Sequence, residues 1–318
     1  MFQRKYFLLV ILLISSGLPI HAQTPESAIT HYKDGTKKFS KGNLDGAIED
    51  FTRAIEISSR LGSDRLARNK LLPAASGFAA AADEVSEVTV IDPFTASALT
   101  SRGMARYHKG DIDGAITDWN RAIRISPGRA TAYLDRGVGL YAKGDTAGAL
   151  ADWTRALQID PRLAAAYTNR GSVRQEEGDP EGALADLNKA IALGPDDAVT
   201  YCNRGFVWIE KHDFDRAISD FDKAIELNPR MVNAYYGRGI ARMSKTDFEV
   251  AIADFTQALH LNPNLAGGYM NRGLALLLRG KDTEAEKDFE RCRTLDPALK
   301  NELEQRINLA RELRDSKP

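Results

Sequence analysis

Side chains able to do acid–base or nucleophilic chemistry are sparse and scattered along this 318-residue chain. No histidine has an acidic or thiol residue at a fixed spacing, and no glycine-rich phosphate loop or nucleophile elbow is present. Catalytic triads, metal sites and phosphate cradles need such spacings, because several groups must converge on one atom. We therefore predict no catalytic activity, no bound metal and no cofactor. The histidines are His21, His31, His108, His212 and His260.

The charge balance argues against nucleic-acid binding, and the cysteine positions argue against a disulfide. There are 43 basic and 44 acidic residues, a balance that does not favour nucleic-acid binding. Cys202 and Cys292 are two to three repeats apart in the register described below. Since packed helices lie about 8–10 Å apart, these cysteines exceed the about 7 Å reach of a disulfide. We predict that both serve only in packing or lie at the surface.

The first 22 residues have the pattern of a secretory signal. Arg4 and Lys5 precede an apolar run at 6–14, and Ala22 offers a small residue for cleavage before Gln23. The run is shorter than the about 20 residues that span a bilayer. We expect export to the periplasm or the cell exterior, with no membrane span after cleavage. The alternative is an uncleaved N-terminal anchor.

Four residue types recur every 34 positions, a regularity that chance does not maintain over six repeats. An arginine precedes each of the recurring glycines. The prolines are Pro93, Pro127, Pro161, Pro195, Pro229, Pro263 and Pro297; the glycines are Gly103, Gly137, Gly171, Gly205, Gly239 and Gly273; the alanines are Ala115, Ala149, Ala183, Ala217, Ala251 and Ala285.

Each 34-residue unit resembles a tetratricopeptide repeat. Residues 164–197 carry that family's residues at repeat positions 4, 8, 20, 27 and 32, which are Tyr167, Gly171, Ala183, Ala190 and Pro195. Position 24 is large and apolar, as in the family. The resemblance implies an all-α fold, a right-handed superhelical solenoid of helix-turn-helix units.

The residues support the same fold independently. Apolar residues fall at helical spacing on two segments of each unit, with Gly-Asp between them, as at Gly144-Asp145. Glycine accepts the left-handed conformation that ends a helix, and the repeat proline ends the second helix. The small residues at positions 8, 20 and 27 let the two helices approach closely. One hairpin buries too little surface alone, so the units must stack.

The register predicts about eight repeats and a C-terminal cap. Residues 62–95 form a degenerate repeat with Pro73 inside its first helix, or alternatively an inserted loop. In the cap, Leu303, Ile307, Ala310 and Leu313 fall near one helix face, which Leu309 widens. The predicted segments are the signal 1–22, a linker 23–27, repeats 28–61, 62–95, 96–129, 130–163, 164–197, 198–231, 232–265 and 266–299, and the cap with its tail 300–318.

The arginine at position 7 departs from the leucine commonest in the family, and an aspartate stands at position 23 of the same repeats. We predict a structural ion pair between the two helices of a repeat or between adjacent repeats. The first repeat departs, with Asp34 facing Asp50. The predicted pairs are Arg102 and Asp118, Arg136 and Asp152, Arg170 and Asp186, Arg204 and Asp220, Arg238 and Asp254, and Arg272 and Asp288.

The resemblance also implies a concave groove lined by the first helix of each repeat. From residue 96 onward the groove positions hold Asp135, Glu176 and Glu210 but no lysine or arginine, so the family's carboxylate clamp is absent. Asparagine at position 6 is similar to family members that bind the backbone of an extended peptide. The predicted groove residues are Asn169, Asn203, Phe206, Ile209, Tyr236, Ile240, Met243, Met270, Asn271 and Leu274.

These features predict a scaffold that holds a partner protein or peptide in its groove. The acidic side chains favour a neutral or basic extended segment and disfavour nucleic acid, whose phosphates need basic partners. The alternative is a structural subunit of a cell-envelope assembly, bound through its convex face or its caps.

Overall fold

The computed structural model describes residues 25–71 and 93–316, and these residues form 15 α-helices, one short 3-10 helix and no strand. The predicted all-α helix-turn-helix fold is confirmed. The predicted signal at 1–22 lies outside the described residues. The helices are α1 Pro25–Ser40, α2 Leu44–Leu71, α3 Pro93–Lys109, α4 Ile112–Ile125, α5 Ala130–Ala142, α6 Thr146–Ile159, α7 Ala164–Glu176, α8 Pro180–Leu193, α9 Ala198–Glu210, α10 Phe214–Leu227, α11 Val232–Ser244, α12 Phe248–Leu261, α13 Ala266–Leu278, α14 Asp282–Leu295, the 3-10 helix Pro297–Leu299 and α15 Lys300–Asp315.

The chain divides into two compact units, Met1–Asp160 and Pro161–Pro318. In the first unit, the described helices form the pairs α1–α2, α3–α4 and α5–α6. The second unit contains the pairs α7–α8, α9–α10, α11–α12 and α13–α14, followed by α15. Within each unit the second helix of one pair packs against the first helix of the next.

A close approach between the two helices of each pair explains the glycine at position 8. A Cβ atom at Gly137 would lie 2.6 Å from Nε1 of Trp153, and one at Gly239 would lie 2.6 Å from Cε1 of Phe255. The ring at position 24 therefore fills the space that the missing side chain leaves. The position-24 side chains, which are rings in every described repeat except that of Leu187, are buried at the centre of each described hairpin.

The turns follow the predicted Gly-Asp chemistry. Gly144 has a φ of +81°, which favours glycine, and the Asp145 side chain accepts a hydrogen bond from the Gly148 backbone N–H. The cap satisfies a donor that the first turn of α6 would otherwise leave unpaired. The second helix ends two residues before the repeat proline, as at Ile159 before Pro161.

The second helix of the first repeat is longer than the 34-residue register predicts. α2 runs on through the predicted boundary at Leu61 to Leu71, because Ser59 stands where proline ends the other second helices. It packs directly on α3, and the Ser58 and Thr95 hydroxyls are 2.6 Å apart in the interior.

Contacts across this junction are those of consecutive repeats elsewhere. Arg102 Nη1 donates to Thr52 Oγ1 at 3.0 Å, as Arg204 Nη1 donates to the equivalent Asn188 Oδ1 at 2.7 Å. Lys109 pairs with Asp45 just as Lys143 pairs with Asp113. The repeat at 28–61 thus contacts the repeat at 96–129 directly, and the degenerate repeat or inserted loop at 62–95 stays a prediction. Residues 72–92 lie outside the described residues.

The terminal helix α15 packs chiefly against α13, the first helix of the last pair. Leu303, Ile307 and Ala310 are buried as predicted. Leu313 and Leu309 are 52% and 56% exposed, which corrects their predicted place on the packed face. At 3.6 residues per turn they lie roughly 90–130° around the helix from the buried stripe.

Candidate functional site

The structure brings together the arginine and aspartate of all six predicted pairs, each within one repeat. Arg204 donates from Nε to Asp220 Oδ2 at 2.8 Å and from Nη2 to Oδ1 at 2.7 Å. The shortest bond in each pair is 2.6 to 2.7 Å. The aspartates are buried, so each carboxylate depends on this two-pronged contact for its charge to be tolerated.

Arg204 makes two further contacts. Besides the Asn188 contact, the Arg204 guanidinium lies over the Tyr201 ring, 5.6 Å from its centroid. Hydrogen bonding to Asp220 raises the pKa of Arg204 above its ordinary value. The residue thereby joins the two helices of its own repeat and the second helix of the preceding one.

A second cation that the sequence reading missed meets the same carboxylate in alternate repeats. Arg174 Nη1 donates to Asp186 Oδ2 at 2.8 Å, and Arg106 and Arg242 do the same with their own aspartates. The signal was an arginine at repeat position 11 in every second unit. The intervening units carry Leu140, Trp208 and Leu276 there.

In the first repeat, the residue at repeat position 11 provides the cation that pairs with the buried aspartate. Asp34, predicted to face Asp50, is exposed. Lys38 Nζ instead lies 2.7 Å from Asp50 Oδ2, and the hydrogen bond to this buried carboxylate raises the pKa of Lys38. A lysine at position 11 thus substitutes for the arginine missing at position 7.

The first helices of the second unit, α7, α9, α11 and α13, lie side by side and form what we call the first-helix face. Its predicted groove residues from 169 to 243 are all half-buried. Phe206 packs edge-on against Phe221 with centroids 5.1 Å apart, and Tyr236 lies 6.0 Å from Phe255. The outer parts of these side chains remain available on the face. The half-buried residues are Asn169, Asn203, Phe206, Ile209, Tyr236, Ile240 and Met243.

The predicted groove residues of the last repeat are more deeply buried than those of the preceding repeats. Met270, Asn271 and Leu274 are only 5%, 3% and 5% exposed, because α15 covers α13. Met270 and Asn271 line a cleft beside α15, whereas Leu274 belongs to the core that α15 completes. The cap residues Leu299, Glu302 and Arg306 also line that cleft, and repeat positions alone give no sign of them.

Acidic groove residues occupy two environments. Glu176 and Glu210 are exposed in the second unit, whereas Asp135 is half-buried on α5 of the first unit. Burial raises the pKa of the Asp135 carboxyl to about 7. Desolvation acts in this direction because it disfavours the charged form.

Family models described as tetratricopeptide repeats match residues 59–130, 139–178, 164–197, 198–231 and 236–299. The chain belongs to the tetratricopeptide-repeat proteins. No curated protein matches it at a significant level. The first of these matches spans 62–95, of which residues 72–92 lie outside the part of the chain that the structure describes. As a tetratricopeptide-repeat array, the chain is a protein-interaction scaffold.

Solved structures share the fold at low sequence identity. A tetratricopeptide repeat protein from Parabacteroides merdae is 18% identical, with 90% of this chain and 99% of that chain covered and a TM-score of 0.56. Pseudomonas aeruginosa PilF is 17% identical over 70% of this chain and 97% of its own, with a TM-score of 0.59. A chain of the APC/C hetero-tetramer Cut9-Hcn1 is 16% identical, with 96% of this chain and 59% of that chain covered and a TM-score of 0.60.

Residues 25–71 and 93–316 contain neither a metal-binding cluster nor a membrane-spanning helix. No three His, Cys, Asp or Glu residues in this part converge to hold a metal ion. No helix within the same ranges is long and apolar enough to cross a membrane. Cys202 and Cys292 are both buried free thiols, and burial raises the pKa of Cys202 to about 12.

The Arg–Asp pair can be tested by a double-mutant cycle at Arg204 and Asp220. Arg204→Met and Asp220→Asn should each lower the free energy of unfolding by about 3 kcal/mol, because each leaves a buried partner unpaired. The double variant should lose less than the sum by at least about 1 kcal/mol. Urea unfolding measures this. Lys223→Ala, which breaks an exposed pair on the same α10, should cost under about 0.5 kcal/mol. Additive effects would contradict the pairing.

Asp135 should give the protein a measurable pH dependence. Its pKa is about 7 in the folded state and about 3.9 when unfolded, so stability falls as pH rises from about 4 through about 7. Asp135→Asn should therefore raise the free energy of unfolding at pH 8 and have little effect at pH 4. Urea titrations at pH 4, 6 and 8 measure the difference. The exposed Glu210→Gln provides the control, and a pH-independent effect of Asp135→Asn would show the carboxyl to be solvated.

Proposed function

We propose that this tetratricopeptide-repeat protein binds an extended segment of a partner protein along the first-helix face of its second unit. The observation that carries the proposal is a pair of amides at the same repeat position, Asn169 and Asn203. Neither side chain forms a hydrogen bond with any residue that the structure describes. Each can donate to a peptide carbonyl and accept from a peptide N–H.

The spacing of the two amides suits an extended chain. Neighbouring helices lie about 8–10 Å apart, and an extended peptide advances about 3.3 Å per residue. Successive asparagines would therefore meet about every third residue of the segment. Phe206 and Ile209, about one and two turns further along α9, offer apolar contacts to the side chains between the two amide contacts.

The charges of the face indicate which net charge the bound segment carries. Glu176 and Glu210 are exposed at the ends of α7 and α9, and the groove positions of these repeats carry no lysine or arginine. Arg306 of α15 reaches the end of the face, but its Nη2 is paired with Glu302 at 2.8 Å. A neutral or basic segment is thus preferred over an acidic one.

A second candidate function has an observation in its favour. Leu309 and Leu313 lie one turn apart on the outer side of α15 and are more than half exposed. Such a pair could attach the chain to an envelope assembly through its cap, with the first-helix face unoccupied. This arrangement would make the array a structural subunit.

The two functions can be separated with peptides selected from a random displayed library on the mature protein. Asn169→Ala combined with Asn203→Ala should weaken peptide binding about tenfold or more, because several hydrogen bonds of about 0.5–1.5 kcal/mol are lost. Fluorescence polarisation gives Kd, and thermal unfolding should be unchanged. Asn264→Ala, an exposed asparagine in the loop before α13, is the matched control. Unaltered binding in the double variant, with loss in Leu309→Ser/Leu313→Ser, would favour attachment through the cap.

We propose further that the chain is exported, on the strength of the signal pattern at 1–22. Mass spectrometry of the protein secreted from a bacterial host should find a mature N-terminus at Gln23. Replacing Ala22 with Arg should block cleavage, since signal peptidase sites need a small residue there. An intact Met1 on the parent protein would instead indicate an N-terminal anchor in the membrane.

A further inference from the structure

A cleft of about 400 Å³ lies at the end of the first-helix face, between α11, α13 and the cap helix α15. Its walls are mainly apolar, with Tyr236, Ile240 and Met243 on α11 and Met270 on α13. This volume is in the range of pockets that take a small organic group. Methionine side chains adapt their shape to what enters, so the walls suit a flexible apolar guest.

One of the residues that line the cleft has an unpaired acceptor. Asn271 is 3% exposed, and its Nδ2 donates to Tyr236 Oη at 2.9 Å. Its Oδ1 is buried and has no hydrogen-bond partner. Buried acceptors are nearly always paired, so this oxygen marks a place where a donor is expected. Asn271 occupies the same repeat position as Asn169 and Asn203.

The charges at the mouth of the cleft cancel. Glu302 and Arg306 are the cap residues there, one turn apart and paired with each other. A charged guest would therefore find no free opposite charge among these two residues. The donor that suits both an apolar pocket and a lone amide oxygen is a backbone N–H attached to an apolar side chain.

We propose that this cleft is an anchor pocket for one large neutral side chain of the bound segment, such as leucine or methionine, whose own backbone N–H is donated to Asn271 Oδ1. The proposal rests on the proposed peptide-binding function of the first-helix face, which runs into this cleft. Because α15 covers the rest of α13, the segment reaches its last contact here. The anchor fixes the register in which the preceding residues meet Asn203 and Asn169.

The methionines provide a direct probe. The chain has 5 methionines, and two of them, Met243 and Met270, line the cleft. Protein labelled with ¹³C at the methionine methyl groups is titrated with the capped peptide acetyl-Gly-Ser-Leu-Ser-Gly-amide. We expect the Met243 and Met270 signals to shift, with Met104 and Met231 unmoved. The same peptide with serine in place of leucine should give no shift up to the same concentration.

The hydrogen bond has its own test on the unaltered protein. A peptide with N-methyl-leucine keeps the apolar side chain but lacks the N–H donor, and it should bind at least tenfold more weakly. Equal binding of the two leucine peptides would remove Asn271 from the proposal. Equal shifts with leucine and serine would remove the pocket itself.

A plugged variant separates this inference from the proposed function. A Cβ at Gly267 would lie 3.0 Å from Tyr236 Oη, so Gly267→Phe should fill the cleft mouth and abolish the methyl shifts with the leucine peptide. Asn233→Phe, at the same repeat position on α11 but exposed, should leave them intact. Thermal unfolding checks that both variants fold.

The two proposals can fail separately. If long selected peptides lose affinity with Asn169→Ala/Asn203→Ala but bind Gly267→Phe normally, peptide binding along the first-helix face is supported and the anchor pocket is refuted. Persistent methyl shifts in Gly267→Phe would also refute it.

Discussion

A buried aspartate in every repeat is the constraint on which the rest of the structure depends. A carboxylate removed from water is tolerated only when its charge and its lone pairs are met by well-placed donors. In six repeats an arginine 16 residues before the aspartate, such as Arg204 for Asp220, meets that need with two parallel bonds. The rest of the Arg204 guanidinium contacts a tyrosine ring and the preceding repeat. The pair therefore fixes the register of the two helices in a repeat and also the offset between repeats.

Because the ion pairs occupy part of the contact between helices, apolar packing within a repeat depends on a small set of positions. The ring at position 24 lies against glycine on the facing helix, so that the two backbones approach without a clash. With position 24 and the ion pair facing the partner helices, the opposite sides of α7, α9 and α11 are turned outward. Variable residues can occupy that side without affecting the fold, which is why the face carries amides, rings and thioethers in different repeats.

The sequence predicts those parts of the fold that repeat. The position-7 arginine and position-23 aspartate stand in one register, so their partnership could be inferred from a single spacing. Parts that occur once could not be inferred in this way. The path of α15 across α13 depends on how its short apolar stripe fits one particular surface, and it buries Asn271 in spite of that residue's groove position. Asn169 and Asn203, in repeats that no cap covers, are half-buried.

The helix α2 carries a consequence for how the array can change. Its last ten residues advance about 15 Å beyond Leu61. The repeat it leaves still docks on the next through the Arg102 and Lys109 contacts. Stacking thus requires the two surfaces to match and is indifferent to the length of chain between them. Since doubling a loop adds only about 0.6 kcal/mol of closure entropy, whole segments can enter or leave the chain at such a junction while the interface persists.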